Sequence, residues 1–182
     1  MILWRVLPWD PSAKPRDLGG PLYIPRPFQG IGRHDNPARY GCVYASIDAK
    51  AAVAETLAQF RGEPLGDSLL DIGGTRLAVV PLDLADDAQL IDLDDPRILR
   101  RERLRPSAVA THERTSSQAY AERLFDGHPD AAGVRWWSTI ESSWINVTLF
   151  DRALRRVRTG SPEPLSLDHP AVVEAAEFLG LV

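Results

Sequence analysis

Apolar residues recur along this chain in two rhythms, and the change of rhythm divides it into strands and helices. ILWRVL (2–7), CVYAS (42–46), RLAVVPLDL (76–84) and QLIDL (89–93) are short apolar runs of the kind that form buried or half-buried strands. VRWWS (134–138) and SWINVTLF (143–150) predict two more strands joined by a short connection, and LRRVR (154–158) a last one. Pro81 favours a sheet edge or a strand end, because proline has no amide to give to a ladder. From residue 49 to 60 the period lengthens: Val53, Leu57 and Phe60 fall at i, i+4 and i+7, one stripe of a helix that Asp48 caps. TSSQAYAERLF (115–125) predicts a second helix with Thr115, Ser116 and Ser117 as capping hydroxyls. Residues 160–182 read as a linker and a C-terminal helix that begins near Asp168, with Pro170 in its first turn.

Two stretches break the rhythm. Residues 8–30 are rich in proline and glycine without periodic apolar positions, so they predict a long irregular loop, anchored by Leu22, Tyr23, Ile24 and Phe28. A loop of that length in a folded domain is usually functional, and it reads as one wall of a site. RILRRERLR (97–105) holds five arginines and one glutamate; a solvated helical face is the plain reading and a docking surface for an acidic partner or for nucleic acid the sharper one.

Length and composition then narrow the class. The 182 residues predict a single domain, 1–182, with ordinary hydrophobic (44%) and charged (25%) content. A net charge of −4 argues against a general nucleic-acid surface, and aromatic residues do not interleave with basic ones as in single-strand binders. The one cysteine, Cys42, cannot form an internal disulfide, which points to a reducing compartment. Arg5 and Pro8 interrupt any signal-peptide core and no apolar run is long enough to span a membrane, so a cytoplasmic location is expected. Only Lys14 and Lys50 are lysines, so arginine supplies nearly all the positive charge and no single arginine is a strong signal.

Most loud catalytic motifs are missing. The four histidines have no metal-ligand spacing, the lone cysteine completes no zinc site, and there is no nucleophile elbow, Walker loop or dinucleotide fingerprint. What stands out is polar groups set among apolar or small neighbours. Arg5 lies inside the first strand and either snorkels out or is held by an anion. Arg33 follows Gly30 and Gly32, whose amides could cradle an anion. Tyr44 lies in the second strand, and Glu55 is off the apolar stripe of its helix with Ala51, Ala52 and Ala58 at helical spacing around it.

Gly32-Arg33 with Asn36, Tyr44 with Ser46, Ala52-Val53-Ala54-Glu55, and Ser138 followed by Asn146 and Leu149-Phe150 form a pattern that resembles the RES domain. That family is named for an arginine, a glutamate and a serine. Leu3-Trp4-Arg5-Val6 resembles its first strand, and the likeness runs from Leu3 to Phe150. His34 and Asp35 depart from it, standing where the family often has tryptophan. The resemblance implies an α+β fold like the ADP-ribosyltransferase toxins, a split, twisted β-sheet with flanking helices. It implies toxins of toxin–antitoxin pairs that consume NAD by hydrolysis or phosphorolysis, or that transfer ADP-ribose to protein, without a metal. An Xre-like antitoxin is the implied partner, and a monomer and a homodimer are both compatible with it. Carried onto this chain, Glu55, Arg33 and Ser138 would be catalytic. Arg5, Arg33, Tyr44, Ser138, Asn146 and Thr115 would contact NAD, with Thr115 or Ser116 as the alternative to Ser138.

Overall fold

Asp48 accepts a hydrogen bond from the amide of Ala51 at 3.2 Å and starts the first helix where the sequence predicts it. The computed structural model describes residues 1–181. Along them run β1 (Ile2–Pro8), β2 (Cys42–Ser46), α1 (Ala49–Leu57), β3 (Asp71–Ile72), β4 (Thr75–Leu84) and β5 (Leu90–Asp92). They are followed by α2 (Pro96–Arg101), α3 (Pro106–Val109), α4 (Arg114–Gly127), β6 (Gly133–Trp137), β7 (Ile145–Phe150), β8 (Val157–Thr159), β9 (Glu163–Pro164) and α5 (Pro170–Leu179). The class is the expected α+β one, a twisted sheet of mixed strand direction with flanking helices. Contacts gather the chain into two units, neither contiguous in sequence. Unit 1 takes Met1–Tyr23, Ala45–Leu84 and Arg158–Val182, and unit 2 takes Ile24–Tyr44 and Ala85–Val157.

In unit 1, β1 runs antiparallel to β4 from Ile2↔Asp83 to Pro8↔Leu77 and meets β2 at Trp4↔Ser46. β4 also pairs with β3, β8 and β9. It is therefore an interior strand, and the edge position expected from Pro81 is not found. The reason is geometric: a residue's N–H and C=O project to the same side of a strand, and the Pro81 carbonyl accepts from Gly160 N. The missing amide thus faces Gly160, and the ladder with β1 loses nothing. α1 packs on α5 and β1 with Val53 and Leu57 fully buried. Phe60 falls in a 3-10 turn, Ala58–Phe60, so the α-helix ends earlier than the predicted residue 60. His169 Nδ1 caps α5 by accepting from Ala171 N, and Pro170 opens the helix.

In unit 2, β5 runs parallel to β6 and β6 antiparallel to β7. The Cys42–Tyr44 half of β2 belongs here, and β2 neighbours β7 in the strand order. The core includes Tyr40, Leu93, Leu99, Val109, Leu124, Val134 and Phe150, with Tyr40 stacked on Phe125 at 4.4 Å between ring centres. Two predicted elements are shorter than expected. α2 stops at Arg101 and does not carry all five arginines of 97–105, and Leu154–Arg156 form a 3-10 turn ahead of the short β8. The α4 cap also differs: the Glu113 carboxylate, one residue ahead of the helix, accepts from Thr115 N and Ser116 N. That carboxylate does the work expected of the Thr115 and Ser116 hydroxyls.

Candidate functional site

The glycine loop of unit 2 is organised by a carboxylate of its own. Asp35, 4% exposed, accepts at Oδ2 from Gly30 N (2.8 Å) and Gly32 N (2.7 Å). At Oδ1 it accepts from the Tyr44 hydroxyl (2.8 Å) and the Cys42 thiol (3.4 Å). The amides expected to cradle an external anion therefore cradle an internal one. The Tyr44 hydroxyl in turn accepts from His34 N at 2.9 Å, so one tyrosine is tied to the last two residues of the Gly32–Asp35 turn. Glycine is required at position 32, since a Cβ there would lie 2.6 Å from the Tyr44 oxygen and 2.7 Å from both Asp35 oxygens. Burial holds the Tyr44 hydroxyl well above its ordinary pKa, reinforced by Cys42 and Asp35 beside it, so it is protonated and donates.

Next to this carboxylate sits a second buried group of side chains. His34 is fully buried, with Nδ1 2.8 Å from Thr148 Oγ1 and Nε2 2.8 Å from the Tyr120 hydroxyl. Desolvation, with Arg33 and Arg114 nearby, lowers its pKa to about 3, so the ring is neutral at physiological pH. With both nitrogens engaged, His34 is a strut, not a proton shuttle. Trp136 Nε1 also reaches Thr148 Oγ1, at 3.2 Å. The Arg33 guanidinium lies 4.8 Å from the Trp136 ring centre, and its Nη1 donates to the carbonyls of Val109 (2.8 Å) and Thr111 (2.6 Å). These bonds help a charge to sit at 4% exposure, because each replaces a hydrogen bond to water.

Cross-strand partners share a face of the sheet, and Trp136 pairs with Asn146 while Val134 pairs with Thr148. Asn146, Thr148 and Trp136 therefore line one face of β6–β7, the face against which Arg33 and His34 pack. Ser138 comes just after β6 and is 1% exposed; its hydroxyl accepts from Ile140 N at 2.9 Å and its amide donates to Trp144 O at 2.8 Å. Unit 2 thus holds five of the residues singled out in the sequence: Arg33, Tyr44, Thr115, Ser138 and Asn146. Thr115 is the exposed one. Unit 1 holds Arg5 and Glu55. Glu55 is half-buried on α1. Arg5 is on the interior strand β1, where it donates to the carbonyls of Pro21 (2.6 Å) and Tyr23 (2.9 Å) and pins the proline-rich loop. A separate cavity of about 450 Å³ in unit 1, beside Trp4, Lys50 and His169, is lined by none of these residues.

Asp35, His34, Tyr120, Thr148 and Trp136 were missed as site residues. The signal was His34-Asp35 itself, two polar residues in place of the family's tryptophan, with nothing to say that both would be buried. Among the described residues no cluster of His, Cys, Asp or Glu could hold a metal, and no helix is long and apolar enough to cross a membrane.

This fold belongs to a recognised class. The RES domain family model matches residues 2–168, and the chain is a member of the RES domain family. Among solved structures, a chain of the M. tuberculosis MbcT-MbcA toxin-antitoxin complex superposes with a TM-score of 0.64 over 99% of this chain and 87% of its own, at 15% identity. That likeness is one of fold. No curated protein matches in sequence.

Proposed function

We propose that this protein is an NAD-degrading toxin that cleaves the nicotinamide–ribose bond and is neutralised by an antitoxin protein. Membership of the RES domain family over residues 2–168 is the observation that carries this reading. The fold shared with a chain of a toxin–antitoxin complex supports it.

In this mechanism nicotinamide leaves with the bonding electron pair and positive charge develops on the ribose. Glu55 stabilises that charge electrostatically, directly or through a ribose hydroxyl. Arg5 and Arg33 bind the diphosphate. Both already donate to backbone carbonyls, and a charge-assisted bond to phosphate is about twice as strong as a neutral one, so an incoming diphosphate would displace them. Tyr44 offers a ring face to the nicotinamide, while Ser138 and Asn146 orient the sugar or the amide. Thr115 is exposed at the start of α4 and stays the alternative to Ser138. Water, phosphate or a protein side chain takes the ribosyl carbon.

The test is NAD consumption by the purified protein with and without phosphate, the products resolved by mass. Nicotinamide release that Arg33→Ala and Glu55→Ala abolish, in variants that keep their fold, is the expected result. Phosphate dependence identifies a phosphorylase, and free ADP-ribose without phosphate a hydrolase. No release from folded protein free of any partner, with or without protein acceptors, overturns the proposal.

A further inference from the structure

Two helices of this molecule end in the same backbone motif with different residues at its critical position. α5 ends with Gly180 in the left-handed region (φ 69°), and Leu181 N donates back to Ala176 O at 3.0 Å. α2 ends likewise: Arg103 is left-handed (φ 55°) and Leu104 N donates back to Leu99 O at 2.9 Å. Glycine is the residue that fits this position at no cost, and a Cβ there is strained. Among the described residues Arg103 is the one non-glycine with positive φ. The turn itself is anchored, since Leu99 belongs to the unit 2 core and Leu104 packs against that core. The backbone is thus set by Leu99 and Leu104, and nothing in the turn needs the arginine side chain.

That side chain is one of five. Arg97, Arg100, Arg101, Arg103 and Arg105 are all exposed. Among the described residues their ion pairs are Arg97 with Asp95 and Arg101 with Glu102, and Glu102 also holds His128 at 3.1 Å. Residues 97–105 carry a net +4, against −8 for the rest of the chain. A concentrated positive patch on an acidic molecule steers partners of opposite charge. The strain at Arg103 means that charge is placed there at the expense of the fold.

We infer that Arg100, Arg103 and Arg105 form a docking surface for an acidic segment of a protein partner. A protein is favoured over nucleic acid because the −8 remainder of the chain would repel an extended phosphate backbone beyond the patch. Arg105 immediately precedes α3, whose last residue, Val109, supplies one of the carbonyls that hold Arg33. One short helix therefore links the surface to the backbone that holds the buried arginine. This inference stands independently of the NAD reading.

The experiment measures binding of a labelled all-glutamate peptide to the full chain by anisotropy, together with thermal unfolding. Arg103→Gly is the informative variant, because glycine suits the turn: it should unfold at a higher temperature and yet bind the peptide more weakly. The triple variant R100A/R103G/R105A should lose about tenfold in affinity, and wild-type binding should weaken steeply from low salt to a few tenths molar. Unchanged affinity in the triple variant overturns the inference. Tighter binding of a labelled oligouridylate of equal length than of the peptide also overturns it, in favour of a nucleic-acid surface.

Discussion

Asp35 concentrates more of the local structure than any residue singled out in the sequence. Its two oxygens satisfy two loop amides, a tyrosine hydroxyl and a thiol, and all of these but the Gly30 amide belong to buried or half-buried residues. Removing an acceptor strands those donors, at about 1–3 kcal/mol for a buried unsatisfied group. Asp35→Ala should therefore cost at least about 2 kcal/mol in urea unfolding and loosen Tyr44. Gly32→Ala should produce a similar loss by steric conflict with the same two side chains. His34 carries a pH dependence whose sign follows from its depressed pKa. The unfolded chain binds a proton near pH 6.5 and the folded one near pH 3, so stability is fully present above pH 6.5 and declines as pH falls toward 3. The slope approaches about 1.4 kcal/mol per pH unit. The difference in unfolding free energy between wild type and His34→Gln, followed through that window, isolates this contribution from the carboxylates.

Elements whose ends are fixed by local chemistry were legible in the sequence, and those shaped by tertiary packing were not. β2 and the start of α1 fall where the apolar run and Asp48 place them, because an N-cap is a local interaction. Asp48→Ala should cost about 1 kcal/mol in thermal or urea unfolding for the same reason. Pro81 misled because the rule about proline in strands concerns which side its missing amide faces, and only the three-dimensional pairing with Gly160 decides that. The arginine run misled in a different way. Its composition suits a helix, yet Leu99 and Leu104 both seek the core, and satisfying both needs the turn at Arg103. Arg103→Gly should raise stability by about 1 kcal/mol. The unit 2 cluster was half legible: Arg33 and Tyr44 stood out in the sequence, whereas Asp35 and His34 needed burial and partners that a linear pattern does not carry.

At the scale of the molecule, each unit is built from separated stretches, and unit 1 depends on its last one. α5 contributes Val172, Ala175, Ala176 and Leu179, all buried, and packs on α1, which carries Glu55. The family match ends at residue 168, ahead of α5, yet this packing makes the helix part of the scaffold. Truncation after Thr159 removes β9 and α5, and should abolish hydrogen-exchange protection in α1 and weaken it in β1. A truncated chain with full protection at Val53 and Leu57 would refute this dependence. The interleaving also has a consequence in time. A ribosome making this chain delivers every residue of unit 2 by Val157, while the face of α1 that packs on α5 waits for residues 170–179. The helix bearing Glu55 therefore gains its α5 cover only after residues 170–179 have been made. Any chemistry that needs Glu55 held by this packing waits until that helix has been made.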